Sequence, residues 1–556
     1  MTRAEKLWLT LVLIGAGALL FGGWRLFWFL TDDAFIAFRY VSNGILGHGY
    51  VWNAEPFRPV EGYTSFLWVA MLDLAWRLLD VEPPQIANNL ALLFAFLTLL
   101  LGAAMLLRLR WRPELRRHRI LFIALVLLAV TTNRTFLAWS SSGFETAMFN
   151  FFLVAWIYAA LFGDLERARG VFTLTLAATC TTLTRPDGLL YAAATLLIVG
   201  LRLAARPSAR LGMLLASAPL AGIPAHIVWR RATYGEWLPN TYYAKFVGFW
   251  PESGLRYALS FIVEYALWVV PLLLLVVGIQ QRAAVPAEQR LSSARSEPGV
   301  DVLVRWIGIA TVVLHVLYYT LAIGGDHFEY RPYSHLLLLL FVCFVWLLNR
   351  SRLGPGAATA AAALFVLLSW PVPWSHWWVT RNLDTRDQTR RMRVAIAPSW
   401  PTPVRAYARV FDELQEWLIS HWVCVRHQEH KINQHYLTTL YPTRAEGAKI
   451  GGDTLPVHAF QAVGVAAWSL PHVHIIDLLG LNDYVIARNA VDPRRFRGMA
   501  HEREAPAGYV DCFAPNVFLG AAGSVRVAER DTPLTAEQIR ECEKGWAQRI
   551  RDPARE

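Results

Sequence analysis

Long apolar stretches alternate with short polar segments over the first two thirds of this chain. A helix needs about 20 mostly apolar residues to cross a bilayer, and the sequence offers eleven candidate stretches. They lie near residues 7–30, 86–107, 120–138, 146–163, 170–184, 188–204, 211–229, 257–279, 306–323, 334–349 and 356–372. The pattern therefore predicts a polytopic α-helical membrane protein.

The segment 64–80 is also apolar, but it carries Asp73 and Arg77 four residues apart. This favours an amphipathic helix at the membrane surface over a span. Loop charges support that choice, because cytoplasmic loops are enriched in Lys and Arg. With a cytoplasmic N-terminus and eleven spans, the inside segments hold 19 such residues and the outside loops hold 8. The expected outside loops are 31–62, 139–145, 185–187, 230–256 and 324–333.

Hydropathy falls from about residue 374 onward, and residues 400–556 contain no candidate span. We predict a membrane domain over residues 1–373 and a C-terminal α/β domain over residues 374–556. An odd number of spans places this second domain outside the cytoplasm, opposite the N-terminus.

Short elements of the C-terminal domain follow from local periodicity. Residues 403–420 have the spacing of an amphipathic helix. The apolar runs 462–468 and 472–481 are interpreted as short strands. His472 and His474 would then point to one face of a strand, where we expect a structural role.

Charged residues make up 17% of the chain, below the roughly 25% of a soluble globular protein. The net charge of +11 at first suggests nucleic acid. The basic residues lie mostly in short loops between apolar stretches, however, where membrane topology requires them. We therefore expect a protein of the plasma membrane that contacts lipid and has no nucleic-acid partner.

Acids, bases and amides gather in the expected outside loops, beside Gly, Pro or aromatic residues. Asp32 and Asp33 directly follow the first apolar stretch. Two carboxylates at the mouth of a membrane helix are costly unless they have a use. We predict that they are catalytic, and the alternative is that they cap the start of a helix. The residues do not decide which of the two would accept a proton.

A transferase outside the cytoplasm has no ATP or nucleotide sugar at hand, so its donor must already lie in the membrane. A sugar linked to a lipid phosphate meets this need. Arg185, Lys245 and Arg331 are candidates to hold the phosphate. The alternatives are a turn cation for Arg185 and an interface anchor for Lys245.

Other outside residues have two interpretations each. Glu145 is either a site acid or a first-turn acid of the following helix. Asp326 and His327 follow two glycines and form either a turn or a proton-transfer or metal-binding pair.

Cysteine and histidine residues in the C-terminal region leave further alternatives open. Cys512 and Cys542 could pair in an oxidising compartment. The run that contains Cys424, His427 and His430 has zinc-ligand residue types. We prefer a solvated helix there, because a complete ligand pattern is absent.

Seven motif groups occur in an order that resembles the GT-C glycosyltransferases using polyprenyl-phosphate sugars. The likeness is strongest to the terminal arabinofuranosyltransferases of mycobacterial cell walls. The segments are DDAFIAFRY with NGILGHGYVWN (32–53), RPVEGYTS (58–65), SSGFETAM (141–148), TRPDG (184–188), YGEWLPNTYYAKF (234–246), IGGDHFEYRPY (323–333), and IIDLLGLND with MAHERE (475–483 and 499–504).

This resemblance implies a GT-C-like fold with about eleven spans and an active site outside the cytoplasm. The implied donor is similar to decaprenylphosphoryl-arabinofuranose, and the acceptor is arabinan or another envelope glycan. The implied catalytic residues are Asp32 and Asp33. The implied substrate- and donor-binding residues are Arg39, Glu61, Tyr63, Glu145, Arg185, Asn240, Lys245, Asp326, His327, Arg331 and His501.

The chain departs from the family where Gly-His-Asp is common, because it has Ala500, His501 and Glu502. No cofactor is assigned, and a divalent cation stays an open alternative. Three other functions compete: a GT-C enzyme for another sugar or acceptor, a glycolipid transporter or flippase, and a membrane scaffold.

Overall fold

Helices dominate the computed structural model, which describes residues 1–284, 299–385, 388, 393, 394, 396–492, 496–521 and 523–552. The first helices are α1 (Arg3–Phe27), α2 (Asp32–Ile45), α3 (Phe66–Leu79), α4 (Pro83–Arg108), α5 (Pro113–Arg116), α6 (Arg119–Thr131), α7 (Arg134–Trp139), α8 (Thr146–Phe162), α9 (Ala168–Thr184), α10 (Leu189–Ala205), α11 (Arg210–Ala216) and α12 (Gly222–Tyr234). The later helices are α13 (Asn240–Lys245), α14 (Pro251–Glu264), α15 (Val269–Ala284), α16 (Val300–Leu317), α17 (Ser334–Arg350), α18 (Pro355–Leu368), α19 (Pro371–Thr380), α20 (Thr402–Ser420), α21 (His427–Leu440), α22 (Arg444–Gly447), α23 (Val463–Ser469) and α24 (Ala536–Arg551).

Six helical segments of the described residues are long and apolar enough to cross a membrane. They are Arg3–Phe27, Pro83–Arg108, Pro186–Ala205, Val300–Ile323, Arg331–Arg350 and Pro355–Thr380. Two bent pairs would raise the number to eight, and the pair α14 and α15 bends by 80° within the predicted span 257–279. Two shorter apolar helices, α6 and α8, accompany them. The predicted polytopic helical class is confirmed, whereas the count of eleven stays a prediction.

Loops that were expected on the cytoplasmic side contact one another. Arg202 pairs with Asp301 at 2.5 Å, and Arg206 pairs with Glu166 at 2.6 Å. These four residues come from three of the expected inside segments. Three of the segments that the sequence predicts on the cytoplasmic side therefore lie next to one another.

The segment 64–80 forms helix α3, as its amphipathic pattern predicts. Arg77 donates to Asp73 at 2.9 Å, one turn away, and Tyr50 donates to the same carboxylate at 3.0 Å. The polar pair therefore ties α3 to the first outside loop. Its depth relative to the bilayer stays a prediction.

Short strands and helices form the C-terminal region. Strand β1 (Val457–Phe460) pairs in parallel with β2 (His474–Asp477), and β3 (Val517–Leu519) pairs antiparallel with β4 (Val525–Val527). The strand prediction for residues 472–481 is thus partly confirmed. The prediction for 462–468 is wrong, because helix α23 occupies that run. A short apolar run that is buried on all sides has no periodicity to distinguish helix from strand.

A buried arginine fastens the C-terminal region to the first outside loop. The guanidinium of Arg39 is 2% exposed. It donates to backbone carbonyls of Ala467, Leu470, Pro471 and Val473 at 2.8–3.0 Å, and to that of Trp52 at 3.1 Å. These bonds replace the water that a buried cation loses. The two regions therefore share one interior, and the boundary at residue 374 stays a prediction.

Two buried ion pairs join the membrane helices to the segment before α21. Arg426 binds Glu264 through two bonds of 2.7 and 2.9 Å. Glu329 lies 3.4 Å from Arg426 and 3.5 Å from Arg134. All four side chains are almost fully buried. Removal of one partner would leave an uncompensated charge inside the protein, which is strongly destabilising.

The structure answers two questions that the sequence left open, on the histidine-rich segment and on the pair Cys512 and Cys542. The predicted helix is present as α21, but His427 and His430 in its first turn are buried, so only its later part is exposed to solvent. The described residues include no group of three or more His, Cys, Asp or Glu side chains arranged to hold a metal. Cys512 and Cys542 form a disulfide.

Candidate active site

A cavity of about 290 Å³ lies where the five expected outside loops meet. Each of these loops contributes at least one charged side chain to its wall. They are Asp33, Glu145, Arg185, Asp187, Lys245, Asp326 and Arg331. The C-terminal region adds Leu481, Arg497, Met499, Ala500 and Glu502 to the wall. The polar loops that the sequence predicts on one side of the membrane thus lie together in the structure.

The two adjacent acids at the start of α2 face different surroundings. Asp33 lines the cavity and is partly buried. Asp32 does not line it, and its carboxylate accepts hydrogen bonds from the backbone N–H groups of Val465 at 2.7 Å and Gly464 at 3.3 Å. It therefore caps the first turn of α23. Successive residues of a helix point about 100° apart, so one carboxylate can face the cavity while the other faces α23.

The contact between Asp32 and α23 is close. A Cβ atom at Gly464 would lie 1.8 Å from the backbone oxygen of Asp32, so this position requires glycine. Burial raises the pKa of Asp32 to about 7, although the two backbone N–H groups act in the opposite direction. This geometry favours Asp33 over Asp32 as the group that meets a substrate.

Lys245, the last residue of α13, is a cation that lines the same cavity as Asp33. Among the described residues, none forms a hydrogen bond or ion pair with its ammonium group. Burial lowers the pKa of Lys245, and the carboxylate of Asp33 opposes that effect. A lone ammonium in a cavity wall is suited to binding an anionic ligand.

Arg185 is held by three neighbours on the cavity wall. It donates to Glu145 at 3.1 Å, to Asp187 at 3.2 Å and to the Tyr319 hydroxyl at 2.9 Å. Asp187 is itself bound by Tyr319 at 2.9 Å and by His315 at 3.1 Å. The fork of Arg185 is therefore fixed in orientation, and a guanidinium with five donors retains hydrogens for a ligand.

Arg331 is oriented in a different way. It makes two bonds to Asp326, of 2.7 and 3.3 Å. Its guanidinium also lies 4.4 Å from the centre of the Phe328 ring and 5.0 Å from that of Phe144. These aromatic faces stabilise the cation at the cavity wall.

The sequence did not identify Asp187 and Tyr319, two wall residues that hold Arg185. Asp187 lies in the motif TRPDG, so the motif itself was a usable signal. Tyr319 lies within a predicted span, where a hydroxyl gives no sign of a site. Tyr63 was predicted and does line the cavity, where its hydroxyl lies 3.3 Å from that of Tyr234.

Three predicted binding residues lie away from the cavity wall. Arg39 holds the carbonyls of the C-terminal region, as described above. Asn240 donates to the carbonyls of Gly480, Leu481 and Asp483 at 2.9–3.0 Å. Glu61 pairs with Arg230, and burial raises the pKa of Glu61 to about 7 while Arg230 opposes the change. Their positions are those of structural residues behind the site.

Two predicted histidines lie together on the C-terminal side. The rings of His327 and His501 are 5.0 Å apart, and both lie against Trp422. The carbonyl of Trp422 lies 2.8 Å from Nδ1 of His327. Neither imidazole lines the central cavity, and His501 lines a second one.

No family model matches the chain, but it is similar to one known protein in sequence and to another in structure. The terminal beta-(1->2)-arabinofuranosyltransferase of Corynebacterium glutamicum is 28% identical over 350 residues, which cover 57% of this chain and 47% of that protein. The chain thus spans about half the length of this relative. The crystal structure of ArnT from Cupriavidus metallidurans bound to undecaprenyl phosphate is similar with a TM-score of 0.50 and 11% identity, and the match covers 88% of this chain and 89% of ArnT. The predicted GT-C fold class is confirmed by this likeness.

Proposed function

We propose that this chain is a membrane-embedded glycosyltransferase. It moves a sugar from a polyprenyl-phosphate donor to a cell-envelope glycan on the outer side of the membrane. One observation carries the proposal: Asp33 and Lys245, neither of which forms a hydrogen bond or ion pair with another described residue, line the same cavity. A general base and an anion-binding group at one place are what transfer from a lipid phosphate requires.

The donor phosphate is bound by the three cations of the cavity wall. Lys245 supplies a compact charge, while Arg185 and Arg331 supply planar forks that suit phosphate oxygens. Helix α13 and the residues before it present apolar side chains outward at the same place, since Leu238 and Tyr242 line the cavity and are also 41% and 47% exposed. A polyprenyl tail in the bilayer would pass along this surface.

The chemical step assigns a proton to Asp33. The acceptor hydroxyl gives its proton to the Asp33 carboxylate and forms a bond to the anomeric carbon of the donor sugar. The bond from that carbon to the phosphate oxygen breaks, and polyprenyl phosphate leaves with the electron pair. The cations stabilise the charge that develops on the leaving phosphate. A direct displacement inverts the anomeric centre, so the configuration of the product, determined by NMR, shows whether transfer takes one step.

The sugar that we propose is arabinofuranose. It is supported by the name of the relative from Corynebacterium glutamicum and by the resemblance of the motifs. Purified protein would be supplied with lipid-phosphate arabinofuranose, mannose and 4-amino-4-deoxyarabinose in parallel, together with an oligoarabinofuranoside acceptor. Transfer of arabinofuranose at the highest kcat/KM supports the proposed sugar. A higher kcat/KM for another sugar would show that the donor sugar is a different one, while the proposed reaction type would stand.

A matched control separates the reaction from expression and folding. Asp33→Asn should abolish transfer, whereas Glu166→Gln, which changes an exposed acid of an expected cytoplasmic loop, should not. Movement of labelled lipid across a vesicle membrane without any transfer product would favour a flippase and overturn the proposal.

A further inference from the structure

A second cavity, of about 520 Å³, lies beside the central one on the C-terminal side. It is lined by Val247, Val491, Asp492, Phe496, Arg497, His501, Glu502 and Glu504. Arg497 and Glu502 also line the central cavity, so the two cavities share a wall. A molecule in the second cavity would therefore lie directly beside the proposed donor site.

The backbone between residues 499 and 502 divides the two cavities. Met499 and Ala500 line the central cavity, whereas His501 lines the second one. Ala500 has a φ of 63°, in the left-handed region that a non-glycine residue rarely adopts. Strained backbone of this kind is often found at binding sites, where the surrounding structure enforces it. This turn directs neighbouring side chains into different cavities.

Arg497 fixes the opposite side of the shared wall. It donates to the carbonyls of Gly248 at 2.7 Å and Phe249 at 3.2 Å, and its guanidinium lies 4.4 Å from the centre of the Trp250 ring. Gly248 and Trp250 line the central cavity, while Val247 lines the second one. Residues 247–250 and 497–502 thus form one partition that is held from both sides.

Two flat rings, those of Phe496 and His501, line the second cavity and have further rings behind them. Phe496 is 60% exposed, and its ring lies 5.0 Å from that of His421, which stacks on Trp417 at 4.0 Å. His501 stacks on Trp422 at 5.2 Å. Ring faces bind the apolar faces of sugars, and carboxylates such as Glu502 accept hydrogen bonds from hydroxyl groups. Rings and carboxylates together are a lining suited to a polyhydroxylated chain.

We propose that this second cavity is the acceptor subsite, which binds the sugar residues of the glycan that receives the transferred unit. The inference rests on the proposed function. The glycan lies against Phe496 and His501, and its terminal hydroxyl reaches Asp33 in the central cavity alongside Arg497 and Glu502, the two residues that line both cavities. The donor sugar meanwhile occupies the central cavity, on the other side of the partition.

The test measures acceptor and donor separately in the purified full chain. The variant is Phe496→Ala, and its matched control is Phe518→Ala, an exposed phenylalanine on β3 that lines none of the cavities described here. With an oligoarabinofuranoside hexasaccharide as the probe, Phe496→Ala should raise the acceptor KM about five- to tenfold, as expected for the loss of one ring contact. The donor KM and the kcat at saturating acceptor should change by less than about twofold, a factor within the context-dependence of such contacts.

A second variant, Glu502→Gln, should also raise the acceptor KM, and calorimetric binding of the hexasaccharide should weaken in both variants. An unchanged acceptor KM in both, or an equal rise of donor and acceptor KM, would overturn the subsite. Failure of the proposed function has a different signature, since the wild-type protein would then neither transfer nor slowly hydrolyse any of the lipid-phosphate sugars.

Discussion

The two adjacent acids of α2 should respond to the same substitution in opposite ways. Asp33→Asn keeps the size of the side chain and removes the carboxylate from the cavity wall. Among the described residues, none forms a hydrogen bond or ion pair with Asp33, so folding should lose only its interaction with the start of the helix and its electrostatic attraction to Lys245. The interaction with the start of the helix contributes about 0.3–1 kcal/mol.

The expected loss of activity is much larger. A positioned general base contributes about 10²- to 10⁴-fold to a rate, which corresponds to about 3–5.5 kcal/mol of transition-state stabilisation. Asp33→Asn should therefore reduce kcat by at least about 100-fold. It also removes the acid that favours the charged form of Lys245, so the donor KM should change as well.

Asp32→Asn perturbs the contact with α23 instead. The amide oxygen can still accept one of the two backbone N–H groups, and the NH₂ group faces the other. The loss of a cap of this kind costs about 0.5–2 kcal/mol. At about pH 5, where the folded chain keeps Asp32 protonated, we expect a lower unfolding temperature. We expect a kcat that stays within about tenfold of the wild type.

The assay combines transfer from the lipid-phosphate sugar with thermal unfolding of each purified variant in detergent. Both variants are compared with Glu166→Gln. The assignment would be refuted if Asp33→Asn kept more than a tenth of the activity, or if Asp32→Asn abolished transfer without lowering the unfolding temperature.

Three further predictions follow from the same structure. Lys245→Met should raise the donor KM by about tenfold or more, as for the loss of one charge-assisted contact, and leave the acceptor KM unchanged; equal effects on both would contradict its phosphate role. Ala500→Gly should stabilise the protein by up to about 1 kcal/mol, because glycine adopts the left-handed φ of 63° without strain, and thermal unfolding measures this; a destabilised variant would show that Ala500 is not strained. Burial raises the pKa of Asp32 from 3.8 to about 7. Between these two pH values the folded chain keeps a proton on Asp32 that the unfolded chain has lost. The contribution of Asp32 to the free energy of unfolding therefore decreases as pH rises, and it is constant above about pH 7. The drop in unfolding temperature from about pH 5 to about pH 8 should be smaller in Asp32→Asn, and an identical drop would contradict the assignment.

Much of the architecture could be predicted because membrane spans follow from composition and length alone. Loop charges separated the two ends of the helices, and the structure brings all five expected outside loops to one cavity. The candidate cations Arg185, Lys245 and Arg331 do line that cavity. In each case a charged residue next to an apolar stretch was sufficient to predict the position of that residue at the site.

Other residues of the same chemical types have structural positions. Arg39 and Asn240 lie in expected outside loops, but their donors point to backbone carbonyls of residues more than 200 positions away in sequence. No local pattern reveals such a partner. For the same reason residues 462–468 were predicted as a strand, since the packing of α2 against α23 exists only in the folded chain.

The sequence by itself determined that this protein lies in a membrane and that two acids stand at the mouth of its first span. It also predicted which loops share a side of the membrane, and the five loops expected outside meet at one cavity. Only the tertiary structure decided that Asp33 faces the cavity while Asp32 caps α23. The reason is geometric: neighbouring helical residues diverge by about 100°, and the surroundings that each direction meets are built from distant segments of the chain.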